Sequence, residues 1–187
     1  DPAPGANTEL TADSAGNPTL KPEVAIGIDL AIERYLADGG VLSANLFHRR
    51  INDLIRSVVA LEDVSWSPGQ PRYVSRPQNI GKATTQGLEL EAKFRLDQLI
   101  DDGPRTEVRA NASIFRSRVD AVPGPDNRLA EQPGGTLNFG VDHRFRGTPL
   151  TLGGNLNHTP GYRTRLEADR FIVQSEKNVL DAYALWT

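Results

Sequence analysis

Residues 80–96 read IGKATTQGLELEAKFRL, and this stretch decides the fold. From Ala83 the odd positions are Ala83, Thr85, Gly87, Glu89, Glu91, Lys93 and Arg95, all small or polar. From Leu88 the even positions are Leu88, Leu90, Ala92, Phe94 and Leu96. Successive side chains of a strand point to opposite faces, so this is a strand with one greasy and one charged face. What each face touches separates a soluble sheet from a membrane one.

The alternation recurs along the chain. In EVAIGIDLAIER (23–34), Val24, Ile26, Ile28, Leu30 and Ile32 oppose Glu23, Ala25, Gly27, Asp29, Ala31 and Glu33. In VLSANLFHRR (41–50), Leu42, Ala44 and Leu46 oppose Ser43 and Asn45, and Phe47 breaks the rule. TEVRANASIFRSRV (106–119), TLNFGVDHRF (136–145), LTLGGNLNH (150–158) and VLDAYALW (179–186) follow the same pattern. A sustained period of two argues strand over helix, and no stretch reads as an amphipathic helix. The fold class is all-β, with seven antiparallel up-and-down strands.

The connections alternate too. Residues 37–40, 97–105 and 146–149 are short, whereas 52–79, 120–135 and 159–178 are longer. Residues 1–22 are rich in Pro, Gly, Asn, Asp, Ser and Thr and read as loop, and 52–79 reads as a long irregular stretch.

The bulk composition narrows the classes. Apolar residues make up 38% of 187, below the usual globular share, and charged residues at 24% are ordinary. A net charge of −3 gives no reason to expect a nucleic-acid partner. No run approaches the ~18 apolar residues of a membrane helix, which excludes helical spans only, since strands cross a bilayer in about 9–11 alternating residues. Cys and Met are both absent, so disulfide and thiol chemistry do not arise. The opening DPAPGANTEL has no basic-then-apolar signal segment and reads as part of a longer precursor.

Two architectures fit the alternation. One is a soluble antiparallel β-sandwich, a binding or adhesion module with its apolar faces on an ordinary core. The other is a transmembrane barrel, with short turns at one end, long loops at the other and lipid against the apolar face. The loop rhythm favours the barrel and assigns Glu89, Glu91, Lys93 and Arg95 to a wet lumen. Bacterial single-chain barrels have even strand numbers from about 8 upward, so seven strands form an arc with two bare edges. The test is whether Ile28, Leu90, Ala112 and Val141 lie in an outward belt or converge on a buried core.

Three blocks carry a family resemblance. NPTLKPE (17–23), directly before an alternating strand, resembles the signature of TonB-dependent outer-membrane receptors. LSANLFHRRINDLI (42–55) is similar to the next strand of that family, and QNIGKATTQGLELEAKF (78–94) resembles its Asn-x-Gly-x-Ala block followed by alternating glutamates. The blocks occur in family order, and the resemblance covers roughly residues 15–187. It implies an arc of a 22-stranded barrel normally closed by an N-terminal plug. On that reading residues 1–22 are an extracellular-side loop and 23–187 a partial barrel, with the plug, TonB box and final strands lying outside this chain. It further implies energised uptake of a ferric siderophore, with haem, cobalamin or a saccharide as rivals, at the bacterial outer membrane. The implied partners are that ligand, TonB through the missing plug, and outer-membrane lipid and lipopolysaccharide. A passive porin would lack the three blocks.

Candidate binding residues lie in the longer loops. Trp66, Arg72, Tyr73 and Arg76 fall in one, Arg118, Asn127 and Arg128 in or beside another, and Tyr162, Arg163 and Arg165 in a third. Arg and Tyr suit an anionic, hydrogen-bonding chelate, although such residues also solvate surfaces or touch lipopolysaccharide. His48, His143 and His158 fall on separate strands without ligand spacing, so no metal site or cofactor is expected. Glu89 and Glu91 resemble a catalytic pair but sit two apart on one strand, where a lumen wall accounts for them. No enzyme motif is present.

Overall fold

The computed structural model describes residues 6–187, so the expectation for residues 1–22 falls partly outside the described residues. The chain divides into two compact units. One runs up to Ile26 and takes in Arg50–Ala83; the other comprises Gly27–Arg49 and Thr84–Thr187.

The strands are β1 (Asp13–Ser14), β2 (Val24–Tyr35), β3 (Val41–Asn52), β4 (Ile55–Glu62), β5 (Arg72–Asn79), β6 (Ala83–Arg95), β7 (Thr106–Val119), β8 (Gly135–Arg144), β9 (Leu150–Thr159), β10 (Tyr162–Arg165), β11 (Phe171–Gln174) and β12 (Lys177–Trp186). Seven of them form one sheet in the order β12-β9-β8-β7-β6-β3-β2. These are the seven segments that alternate in the sequence. No α-helix occurs among the described residues, and only short 3-10 turns interrupt the strands at Ala37–Gly39 and Leu96–Gln98.

Register keeps like residues on one face. Phe139 opposes Ala110 on one side and Leu156 on the other, and Leu156 opposes Leu180. This face is not a core. Ile28 is 76% exposed and Leu90 45%, while Ala112 and Val141 are half-buried. Leu46, Ile114, Phe139, Leu152 and Leu180 are exposed as well. Fully buried apolar residues such as Phe47, Val74, Val119 and Val122 lie elsewhere. A sandwich requires the apolar faces to converge, and they do not. An apolar face spread over seven strands is far larger than a monomer normally leaves in water.

The opposite face is polar and cross-linked. Arg49 donates to Asp29 at 3.1 Å, and Asn45 to Glu89 at 3.1 Å. Farther along, Arg109 pairs with both Glu107 and Asp142, and the Tyr183 hydroxyl donates to Asp142. Gly153 makes that last bond possible. It lies between Asp142 and Tyr183 in register, and a Cβ there would overlap the Tyr183 ring. Phe47, the exception to the sequence pattern, belongs to this polar face. It lies over Gly87 beside Phe115, with ring centroids 6.2 Å apart.

The short connections gather at one end of the second unit. Gln98 donates to the Ala37 carbonyl, Arg146 donates to the Gly103 carbonyl at 3.2 Å, and the Arg144 amide donates to the Arg105 carbonyl at 3.2 Å.

Two readings need correction. Residues 52–79 are not irregular: β4 and β5 pair antiparallel from Ile55↔Asn79 to Glu62↔Arg72, and β1 adds to β5 in parallel. Pro77 disguised β5, because proline lacks a ladder donor and normally argues against a strand. It is tolerated here because β1 covers β5 only at Val74 and Ser75. Likewise the 159–178 connection contains the β10–β11 hairpin, Tyr162↔Gln174 to Arg165↔Phe171.

Candidate ligand-binding loops

In the first unit the β4–β5 hairpin carries four of the ten candidate residues. Asp13 of β1, only 2% exposed, lies along its β5 edge opposite Val74. Arg72 donates to it twice, from Nε at 2.5 Å and from a terminal nitrogen at 3.0 Å, and the Trp66 indole donates at 3.3 Å. A planar guanidinium fits a carboxylate in this forked way, and the hydrogen bonds to Asp13 hold Arg72 above its ordinary pKa range. Arg76 donates to Glu62 at 2.8 Å and to the Gly16 carbonyl at 2.6 Å. Tyr73 exchanges backbone hydrogen bonds with the Asn7 side chain, at 2.6 and 3.0 Å. Both arginines thus fasten the chain before β2 onto β5, while Trp66 remains exposed at its ring.

The same unit gives physical meaning to two of the sequence blocks. Asn79 accepts from the Lys21 amide at 2.8 Å and donates to the carbonyls of Lys21 (3.0 Å) and Asp53 (2.8 Å). Asn17 donates to the Pro77 carbonyl at 3.0 Å, and Glu23 accepts from the Ile55 amide at 2.8 Å. Gly81 takes φ +112, a conformation that disfavours any side chain, and the Leu54 amide donates to its carbonyl at 2.8 Å. NPTLKPE and QNIGKA are two halves of one interlock.

In the second unit the 120–135 loop meets the β10–β11 hairpin. The Arg163 guanidinium lies 3.8 Å from the Phe171 ring centre and that of Arg165 lies 4.8 Å from it. Arg165 also donates to the carbonyls of Pro123 (3.2 Å) and Gly124 (3.0 Å), and its amide donates to the Asp126 carbonyl at 2.8 Å. Arg163 is 3.9 Å from Asp126. Asn127 closes its own loop by donating to the carbonyls of Val119 (3.1 Å) and Val122 (3.0 Å). Arg128 and Tyr162 are half-buried nearby in sequence, and Arg118 is exposed at 3.6 Å from Asp120. The structure therefore brings Asn127, Arg163 and Arg165 onto one pair of loops and leaves Arg118 on the strand approaching them. Asp13, Glu62, Asp126 and Phe171 complete these clusters and were absent from the sequence-derived set. Arg, Tyr, Trp and Asn carried the signal, whereas these acidic residues and Phe171 matched no ligand chemistry until the fold set them against the arginines.

The three histidines all sit at the margins of the apolar face, each with its own polar neighbour. His48 is 3.2 Å from Gln86, His143 2.7 Å from Thr106 and His158 2.7 Å from Asn178. No group of three or more potential metal ligands occurs among the described residues.

The fold has counterparts among known proteins. The model of the family described as TonB dependent receptor-like, beta-barrel matches residues 2–187. The chain belongs to this family of outer-membrane β-barrel receptors. Its seven-stranded sheet is accordingly an arc of such a barrel. Among curated proteins, the vitamin B12 transporter BtuB of Vibrio vulnificus is 33% identical over 86 residues, 46% of this chain and 12% of that protein. Among solved structures, the ferric enterobactin receptor of Pseudomonas aeruginosa superposes with a TM-score of 0.63 at 19% identity, covering 93% of this chain and 25% of that one. The FrpB iron transporter from Neisseria meningitidis gives 0.61 at 18% identity, covering 96% and 26%. The chain thus spans about a quarter of the solved receptors and 12% of the curated relative.

Proposed function

We propose that this chain forms wall and loops of a bacterial outer-membrane receptor that takes up a ferric siderophore or a similar large, scarce ligand, driven through TonB. The observation that carries the reading is the two-faced seven-stranded sheet, with an exposed apolar side and a hydrogen-bonded polar side, in a chain of the receptor family. The apolar side contacts lipid and the polar side the lumen. On this reading the short turns are periplasmic and the longer loops extracellular. The role is transport rather than catalysis.

Within the loops, Arg163 and Arg165, held against the Phe171 ring, offer positive charge to an anionic chelate, and Trp66 and Tyr73 offer aromatic surface. Arg118, Arg128 and Tyr162 extend these contacts. Arg72, Arg76 and Asn127 act indirectly, by holding their loops in shape. Cobalamin is the rival cargo, since 86 residues of this chain are 33% identical to a vitamin B12 transporter.

The test is ligand binding by the full-length protein in detergent, titrated with ferric siderophores, haem and cobalamin and read by tryptophan quenching. Saturable binding of a ferric siderophore, weakened by Arg163→Ala, supports the reading. Saturable binding of cobalamin alone replaces the cargo, and a protein that stays monodisperse without detergent overturns the membrane assignment.

A further inference from the structure

On the polar face, the row nearest the short turns carries two arginines side by side. Arg105 leads into β7 and Arg144 closes β8, and the Arg144 amide donates to the Arg105 carbonyl at 3.2 Å. They follow the Thr106↔His143 pair, and Thr151 of β9 lies opposite Arg144 on its other side. By alternation all three share the face of Glu107, Arg109 and Asp142. They line a cavity of about 530 Å³, whose remaining wall includes Glu107, Asp142 and Arg95 with Asp97. Every carboxylate of that wall is already engaged. Asp97 holds Arg95 at 2.9 Å, Glu107 holds Arg109 at 3.3 Å, and Asp142 binds both Arg109 and the Tyr183 hydroxyl. Asp101 and Asp102, in the connection before β7, make no ion pair with either lining arginine. Arg105 and Arg144 are exposed, and neither guanidinium has a hydrogen bond or ion pair among the described residues.

Like charges set against each other on neighbouring strands are destabilising. Arg109, one row farther in, avoids that cost by taking two carboxylates. Arg105 and Arg144 have none, so their counter-charge has to come from a ligand. Each guanidinium presents a planar fork of donors that fits a carboxylate, and two such forks side by side fit a ligand with at least two carboxylates. We propose that this row is an anion-binding site at the short-turn mouth of the lumen, for a compact di- or tricarboxylate. One carboxylate pairs with Arg105 and a second with Arg144, and the Thr151 hydroxyl donates to the same ligand. The site lies at the opposite end of β7 from the 120–135 loop, so it is separate from the loop arginines. The inference rests on the reading of the polar face as a lumen wall, but not on the identity of the transported ligand.

The experiment is a calorimetric titration of the full-length protein in detergent with citrate, at fixed ionic strength. Affinity should fall roughly tenfold or more in Arg105→Gln and in Arg144→Gln, the scale for losing a hydrogen bond to a charged group. Lys93→Gln removes a polar-face charge outside the cavity and should leave citrate binding unchanged. Acetate, with a single carboxylate, should bind the unaltered protein no better than citrate binds the arginine variants. Without citrate, both arginine variants should melt no lower than the unaltered protein, because the repulsion has been relieved. Equal weakening in all three variants would mean general charge attraction only and overturns the proposal. Absence of citrate binding also overturns it, and lowered melting of the arginine variants would then trace the counter-charge to a carboxylate elsewhere in the full-length chain. If the lumen reading itself fails, the protein will stay monodisperse without detergent, which is a different result from either.

Discussion

The Arg72 guanidinium clasps the Asp13 carboxylate through two nitrogens, at 2.5 and 3.0 Å, and so ties two segments 59 residues apart. Asp13 is buried and also accepts from Trp66, so its charge has been taken out of water and depends on these partners. Replacing Arg72 with Ala should release the chain around β1 from β5. Hydrogen exchange should then accelerate at the Ala15 amide, which donates to the Ser75 carbonyl, and at the Tyr73 amide, while β8 and β9 stay protected. Unchanged exchange at both amides would mean the clasp is dispensable.

The pH dependence of that clasp follows from the direction of the Arg72 shift. Its pKa is raised in the folded protein, first by the hydrogen bond to Asp13, with charge attraction adding and desolvation opposing. A raised pKa contributes stability that is fully present below the unfolded-state value and is lost only as pH rises through the folded one. Both values lie far above neutrality for a guanidinium. Protection of the Ala15 amide, corrected for intrinsic exchange, should therefore not change from neutral to mildly alkaline pH.

Gly87 is required by close approach. A Cβ there would lie 2.7 Å from the Ile114 carbonyl oxygen, 2.7 Å from Phe47 and 2.8 Å from Phe115. Gly87→Ala should destabilise by about 1–3 kcal/mol, the usual cost of overpacking, measured by guanidinium unfolding of the full-length protein in detergent. Adding Phe47→Leu should not rescue it, because the Ile114 contact is backbone and cannot rotate away.

Asp142 joins Arg109 and Tyr183 on the polar face. Tyr183→Phe should cost about 0.5–1.5 kcal/mol, the net value of one hydrogen bond. Because both partners share one carboxylate, the losses in Tyr183→Phe and Arg109→Met should be non-additive in a double-mutant cycle. Strict additivity would show that the two bonds act independently.

Phe171 contacts two guanidiniums through its ring, and Arg165 also binds the 120–135 loop. Phe171→Leu keeps an apolar side chain but removes the ring face, which is worth about 0.5–2 kcal/mol per cation–π contact. Exchange at the Arg165 amide should rise, and affinity for an anionic ligand should fall with it. A change in affinity with no change in exchange would place the ring in direct contact with ligand rather than in loop support.

The seven long strands, their two faces and the rhythm of short and longer loops were all legible in the sequence. Alternation is a local property: each residue's face follows from its neighbours two positions away, so Leu88, Leu90 and Ala92 declare their side without any partner. The three blocks, NPTLKPE above all, were legible as a family likeness, though their mutual interlock through Asn79 was not. Phe47 looked like an exception because its reason, Gly87 on the adjacent strand, lies 40 residues away. The β5 strand was hidden by Pro77, whose tolerance depends on where β1 stops.

Sequence by itself determined that this chain is a sheet of two unlike faces, because face and periodicity are written within each strand, and its three blocks carried the likeness to a receptor barrel. Tertiary structure alone decided which charges are spoken for. Asp13 with Arg72, Glu62 with Arg76 and Asp142 with Tyr183 are pairs made by register and loop path, and no local pattern encodes a partner that folding brings from another segment.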